Sequence, residues 1–229
     1  MAINLNIPTR GNSKLERMLE FVENDIQLNT LWKCSNTMAM NRQNLNDHGP
    51  IHIKIVANRA IKLLRMLTQY KVEPSIVKDY GYTTDDAEVV VLLGSVMHDL
   101  GVSIVRDQHE LYSIPLAQSI LNRCLPILYS EEETTIMMSE VLHAVLTHHE
   151  PSYPLTIEAG VVKVADALDM EKGRARISYI EGKMNIHSVS AHAIKKVDIV
   201  NGGLKPILVR IRMDNPAGVF QVDNLLGAK

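Results

Sequence analysis

The stretch VMHDLGVSIVRDQHE, residues 96–110, sets His98 and Asp99 side by side at the end of an apolar run and follows them with His109. Elsewhere, His48, His52, His148, His149 and Asp166 also stand at the ends of helical patterns or beside chain breaks. Imidazole and carboxylate together suit Zn, Mn, Fe, Ni or Co better than Ca or Mg. The cysteines, Cys34 and Cys124, are not clustered, which argues against a structural zinc site. A shared Asp and several His can hold two metals about 3.5–4 Å apart, an arrangement that activates a bridging hydroxide for phosphoryl chemistry. Each piece alone has a plainer reading. An adjacent His-Asp pair is more often a helix-end hydrogen bond, and a lone His in a helix a packed or surface residue. That plainer reading is applied to His143, His187 and His192, since His143 and His148 do not share a helical face.

The elements that must carry these residues are helices. SKLERMLEFVEN reads as a helix capped by Ser13, with Glu16 closing a box. Leu15, Met18, Leu19, Val22 and Ile26 fall on its apolar face, and the pattern runs on past Trp32 towards Met40. A second helix begins at Pro50 behind Gly49, with Ile53, Val56, Ala57, Ala60, Leu63, Leu64 and Leu67 facing inward. TTDDAEVVVLLGSVMHDLG is a third, buried helix, with Asp85 and Glu88 as its box and Gly101 as a left-handed stop. A further helix is expected with Pro115 in its first turn, then one boxed by Ser130 and Glu133 that stops before Pro151, then TIEAGVVKVADALDM. From about Lys195 the pattern alternates: two strands joined by a tight turn at NGG, with Ile207, Val209, Ile211 and Met213 on one side and Arg210 and Arg212 on the other. The expected fold is mainly α, a helical bundle with a small C-terminal β-containing appendage. Residues 1–46 form an N-terminal helical segment packing on the core, 47–185 the domain with the metal site, and 186–229 a small α/β tail.

The ordered set IHIKIVANRAI, MHDLG, LTHHE and VADALD, spanning residues 48–169, resembles the motif of the HD-domain metal-dependent phosphohydrolase superfamily. The resemblance implies that His52, His98, Asp99 and Asp166 are core ligands, with Asp99 bridging if there are two metals. His109, His148 and His149 look like the extra ligands of the multi-metal branch that includes the HD-GYP cyclic-dinucleotide phosphodiesterases. His48 stands where that branch can carry an additional ligand; it can equally be a residue leading into the helix. Two departures are visible: Val102 replaces the usual Lys after the His-Asp-x-Gly unit, and Ser152-Tyr153-Pro154 stands for Gly-Tyr-Pro. The implied activity is a metal-dependent phosphohydrolase, with two divalent transition metals (Mn, Fe, Ni, Co or Zn) activating the water that cleaves a nucleotide or similar small phosphoester. Asp99, His109 and His149 would carry the catalysis, a proton passing through His109 or His149. Arg106, Lys172, Arg174 and Arg176 are candidates for phosphate, since Arg holds phosphate oxygens in a fork. Lys163 and Asp169 flank Asp166 by about a turn and are candidates for the shell behind the ligands. Two alternatives stay open: an HD-type di-iron oxygenase, and a nucleotide-binding regulatory module without turnover.

The bulk numbers leave these readings standing. The 229 residues are 46% hydrophobic and 22% charged, with a net charge of −2. That charge gives no support to stable nucleic-acid binding. No signal peptide or membrane-length apolar run is visible, so a cytoplasmic protein is expected. A homo-oligomer is compatible with the amphipathic N-terminal helix and the β tail.

Overall fold

The computed structural model describes residues 3–172, 190 and 192–227. Helix α1 (Ser13–Asn24) is capped by Asn12, one residue before the Ser13 expected from sequence; Asn12 Oδ1 accepts from Leu15 N at 2.9 Å. The Asn12 amide also donates to Glu88 and to the Asp85 carbonyl, contacts that Ser13 could not make. The chain then restarts: Asp25 caps α2 (Ile26–Asn36). Ile26 therefore leaves the α1 face and is 82% exposed. A π-helical turn (Thr37–Arg42) leads to α3 (Pro50–Gln69), whose expected apolar face is buried, with Leu67 partly so. A short α4 (Ser75–Tyr80) precedes α5 (Thr84–Met97).

Helix α5 is the axis of the bundle. Every residue from Val89 to Met97 is buried, and α1, α3, α7 and α8 pack around it. A helix enclosed on all sides needs no polar face, which explains its unbroken apolar run. Its box is Thr83 with Asp86, not Asp85 with Glu88. Glu88 is taken instead by Arg65 at 2.6 Å.

Gly101 is not the left-handed stop expected of it, since the positive-φ glycines among the described residues are Gly11, Gly81 and Gly203. It lies in a 3-10 turn (Leu100–Ser103) that runs hard against the next helix. A Cβ there would meet His109 O at 2.0 Å and Ser113 N at 2.7 Å. That next helix, α6 (His109–Cys124), starts earlier than expected, leaving Pro115 in its interior. The carbonyl Pro115 cannot satisfy belongs to Leu111, a half-exposed residue on the outer side of α6. α7 (Glu131–Thr147) carries the Ser130–Glu133 box as read, and α8 (Ile157–Ala167) follows.

Strands β1 (Ile194–Val200) and β2 (Leu208–Met213) pair antiparallel, Val197 opposite Ile211 and Ile199 opposite Val209. The loop between them, residues 201–207, is longer than the expected tight turn. Helix α9 (Gly218–Leu226) closes the described chain. Ile194, Val197 and Ile199 join the main core, and Glu171 accepts from Val197 N at 3.1 Å, so the tail is docked on the bundle. No helix among the described residues is long and apolar enough to cross a membrane.

Candidate metal centre

Two ligand candidates arise from the same local device. α5 and α7 each end one residue before a His, and His98 and His148 take the C-cap positions. The Nδ1 of His98 donates to Ser95 O and that of His148 to Val145 O, each at 2.7 Å. A proton held on Nδ1 leaves the Nε2 lone pair facing inward. His52, in the first turn of α3, does the same through a side chain: its Nδ1 lies 2.7 Å from Asp169 Oδ2. His109 opens α6, and its Nδ1 meets both Arg106 O at 3.0 Å and Arg106 Nη1 at 2.8 Å.

The inward nitrogens converge. His52 Nε2 and His98 Nε2 are 3.1 Å apart, and His109 Nε2 and His148 Nε2 are 3.0 Å apart. Lone pairs at such distances repel unless a cation or a proton sits between them. Asp99 spans both pairs. Its Oδ2 lies 3.2 Å from His52 Nε2 and 3.4 Å from His98 Nε2. Its Oδ1 lies 3.0 Å from His109 Nε2 and 3.7 Å from His148 Nε2. Asp166 Oδ1 adds a second carboxylate to the first pair, 3.4 Å from His52 Nε2 and 3.8 Å from His98 Nε2. Within His52–His98–Asp166, and again within His98–Asp99–His148, the donor atoms lie within 4.8 Å of one another.

The electrostatics point the same way. Burial by itself would push His52 down, yet hydrogen bonds to Asp166, Asp169 and Asp99 hold it well above the usual imidazole range. Burial is likewise overcome at Asp99, where the charge on His98 and hydrogen bonds from His109, His52 and His98 drive the carboxyl well below its ordinary range. His148 is held well below, by burial first and then by the charges on His98 and His109. This nitrogen-and-carboxylate set draws positive charge into a buried place, which is what divalent transition metals supply.

Support comes from further residues that the sequence did not single out. Trp32 Nε1 donates to Val96 O at 2.8 Å, and Ser35 Oγ to Asp99 O at 3.2 Å, anchoring the end of α5. Ser113 Oγ accepts from Gly101 N at 2.8 Å and lies 2.7 Å from His98 O, tying α6 to the same turn. Arg59 reaches Asp169 at 3.6 Å and Glu171 at 2.9 Å, behind His52. A buried Trp at helical spacing was a visible signal; the serines were not.

A cleft of about 440 Å³ opens over this cluster, lined on the metal side by His48, His52, Arg106, His149, Asp166 and Asp169. The His149 ring centre is 5.3 Å from that of His109, and the His48 ring centre 5.7 Å from that of His52. His48 Nδ1 is bonded to Asn46 O at 2.7 Å. Lys163 donates to Ser152 O at 2.7 Å and lies under the Tyr153 ring, bracing the 149–156 loop. Lys172 pairs with Asp214 and does not line the cleft. Arg174, Arg176 and His187 lie outside the described residues. His143 accepts from Leu155 N at 2.9 Å, a structural role.

The HD domain family model matches residues 51–171, more than half of the chain. The chain belongs to the HD-domain superfamily of metal-dependent phosphohydrolases. The His/Asp cluster just described falls wholly within the matched HD domain. HD domains bind divalent metals. An uncharacterized protein of Methanocaldococcus jannaschii is 47% identical over 210 residues, covering 92% of this chain and 81% of that relative. No solved structure matches the chain significantly.

Proposed function

We propose that this HD-domain protein is a phosphohydrolase that uses two divalent transition metals, Mn, Fe, Ni, Co or Zn, to cleave a small phosphoester such as a nucleotide. The observation that carries the reading is the division of Asp99 between two sets of histidines. His52, His98, Asp166 and Asp99 Oδ2 would hold one metal; Asp99 Oδ1, His109 and His148 the other, with His149 beside them. Bound there, the metals would supply Lewis acidity and an activated water. Arg106 lines the cleft and would offer phosphate oxygens the guanidinium N–H groups that His109 does not engage. His149 also lines the cleft and would pass a proton to the departing oxygen. Asp169 orients His52 through Nδ1 and keeps its Nε2 turned to His98 and Asp99, where it would hold a metal.

The test is elemental mass spectrometry on protein without a His tag, paired with phosphate release from a phosphoester panel. About two transition metals per chain and metal-dependent phosphate release are expected. Asp99→Ala should lose both. Full metal content and full activity in Asp99→Ala would overturn the reading. Bound iron with oxygen consumption and no phosphate release would replace it with an oxygenase.

A further inference from the structure

The cleft over the metal cluster has a second wall that comes from outside the family-matched segment. Gln221, Asn224 and Leu225 of α9 line it together with His48, His52, His149 and Asp166. Their spacing puts them on one face of the helix. Val219 and Phe220 of α9 are 58% and 60% exposed, while Val222, Leu225 and Leu226 pack against the core. So α9 is held in one orientation, and the face it turns to the cleft carries two carboxamides and a leucine.

That wall differs in chemistry from the rest of the lining. The rest of the lining is imidazole, carboxylate and guanidinium, which would take a phosphate once divalent cations are bound among the carboxylates. The α9 wall is uncharged. Gln221 is half-buried and Asn224 exposed, and both line the cleft, so a ligand entering it can reach both amides. A carboxamide presents a donor and an acceptor side by side, the pattern that pairs with the edge of a nucleobase. Leucine beside them offers apolar contact to a flat ring. The cleft volume of about 440 Å³ lies in the range of small-molecule sites.

We infer that α9 is the specificity element of this cleft: Gln221 and Asn224 read the base of a nucleoside monophosphate whose phosphate end lies at the His/Asp cluster. The inference rests on the phosphohydrolase reading for where the phosphate sits, but its test reads binding and not turnover. A site built to hydrogen-bond a ligand group discriminates strongly against an analogue lacking it.

Calorimetry on the full chain, reconstituted with Mn, would compare the four nucleoside 5′-monophosphates with ribose 5-phosphate, which lacks the base. At least one nucleotide should bind roughly tenfold or more tightly than ribose 5-phosphate, a difference of about 1.4 kcal/mol. In the double variant Gln221→Ala/Asn224→Ala that preference should fall to within about twofold, with metal content as in the unaltered chain. No preference in the unaltered protein, or a preference that survives the double substitution, overturns the inference. A second variant, Gln221→Glu, should turn base binding repulsive or reorder the preference among bases; an unaltered ranking also counts against it. Phosphate release, measured separately, decides the hydrolase reading: base-dependent binding without release would leave α9's role standing and remove the hydrolase.

Discussion

At Asp99 the two carboxylate oxygens have different neighbours, and at His52 the two ring nitrogens do. Both residues work only if each atom keeps its side. For His52 the outer side is held by Asp169, a carboxylate that can only accept. Asp169→Asn offers either an oxygen or an amide N–H to Nδ1, so the ring loses its preferred tautomer. Such changes behind a ligand typically cost about 10–100-fold in metal affinity. Competition with a chromophoric chelator should show that loss for Asp169→Asn while the helical signal stays intact; unchanged affinity would remove Asp169 from the orienting role. The ligand candidates were legible because each is a polar group at the end of an apolar pattern, where burial without a partner is costly. Their supports were less so. Asp169 read equally well as a helix-face charge, and nothing in the spacing marks Ser35 or Ser113, whose partners are backbone carbonyls distant in sequence.

Among the elements, α5, α7 and α8 bring their C-termini to the cluster, and α3 and α6 their N-termini. The C-terminal ends carry partial negative charge, so a cation between them is favoured. Gly101 sets how closely α6 can approach. Gly101→Ala puts a methyl carbon where His109 O now lies, and must push the first turn of α6 outward. The expected result is loss of the metal held through His109, with global stability falling by about 1–3 kcal/mol. Metal stoichiometry and denaturant unfolding check this, and full metal retention would contradict it. At the other end of α5, Asp86 closes the capping box and accepts from Lys14 at 2.6 Å and Tyr129 at 2.8 Å. Burial would raise its pKa, but hydrogen bonds from Lys14, Thr83 and Tyr129 bring it below 3.8. A carboxyl depressed on folding stabilises above its unfolded pKa and loses that contribution as pH falls through the folded one. The stability gap between the unaltered protein and Asp86→Asn should therefore be constant near neutrality and close below pH about 4. Urea titrations at several pH values measure it; a gap that persists well into acid would refute the assignment. The helices themselves were readable from their apolar periodicity, but two of the three expected capping boxes were displaced. Ser13 and Asp85 lost to Asn12 and Thr83, because Asn12 also bonds across to α5 and Thr83 closes its box with Asp86 two residues earlier in the chain.

For the molecule as a whole, the cluster draws ligands from five helices, so a metal at its centre is also a clamp on the bundle. A ligand bound only by the folded state adds about 4 kcal/mol when present at a thousand times its Kd. Stripping with a chelator should lower the unfolding temperature, and adding back Mn or Zn should restore it; identical curves would mean the cluster binds no metal tightly. The tail was the least legible part at this scale. Alternation announced two strands, but no local pattern states that α9 returns to the cleft, because docking is decided by distant surfaces. The bundle also distributes its vulnerabilities unevenly. His98 and His148 lean on the backbone carbonyls of Ser95 and Val145, whereas His52 leans on a side chain. Any residue compatible with the helix supplies the same carbonyl at positions 95 and 145. In a drifting lineage those two ligands inherit their support from the polypeptide itself, and position 169 is where inheritance has to be exact.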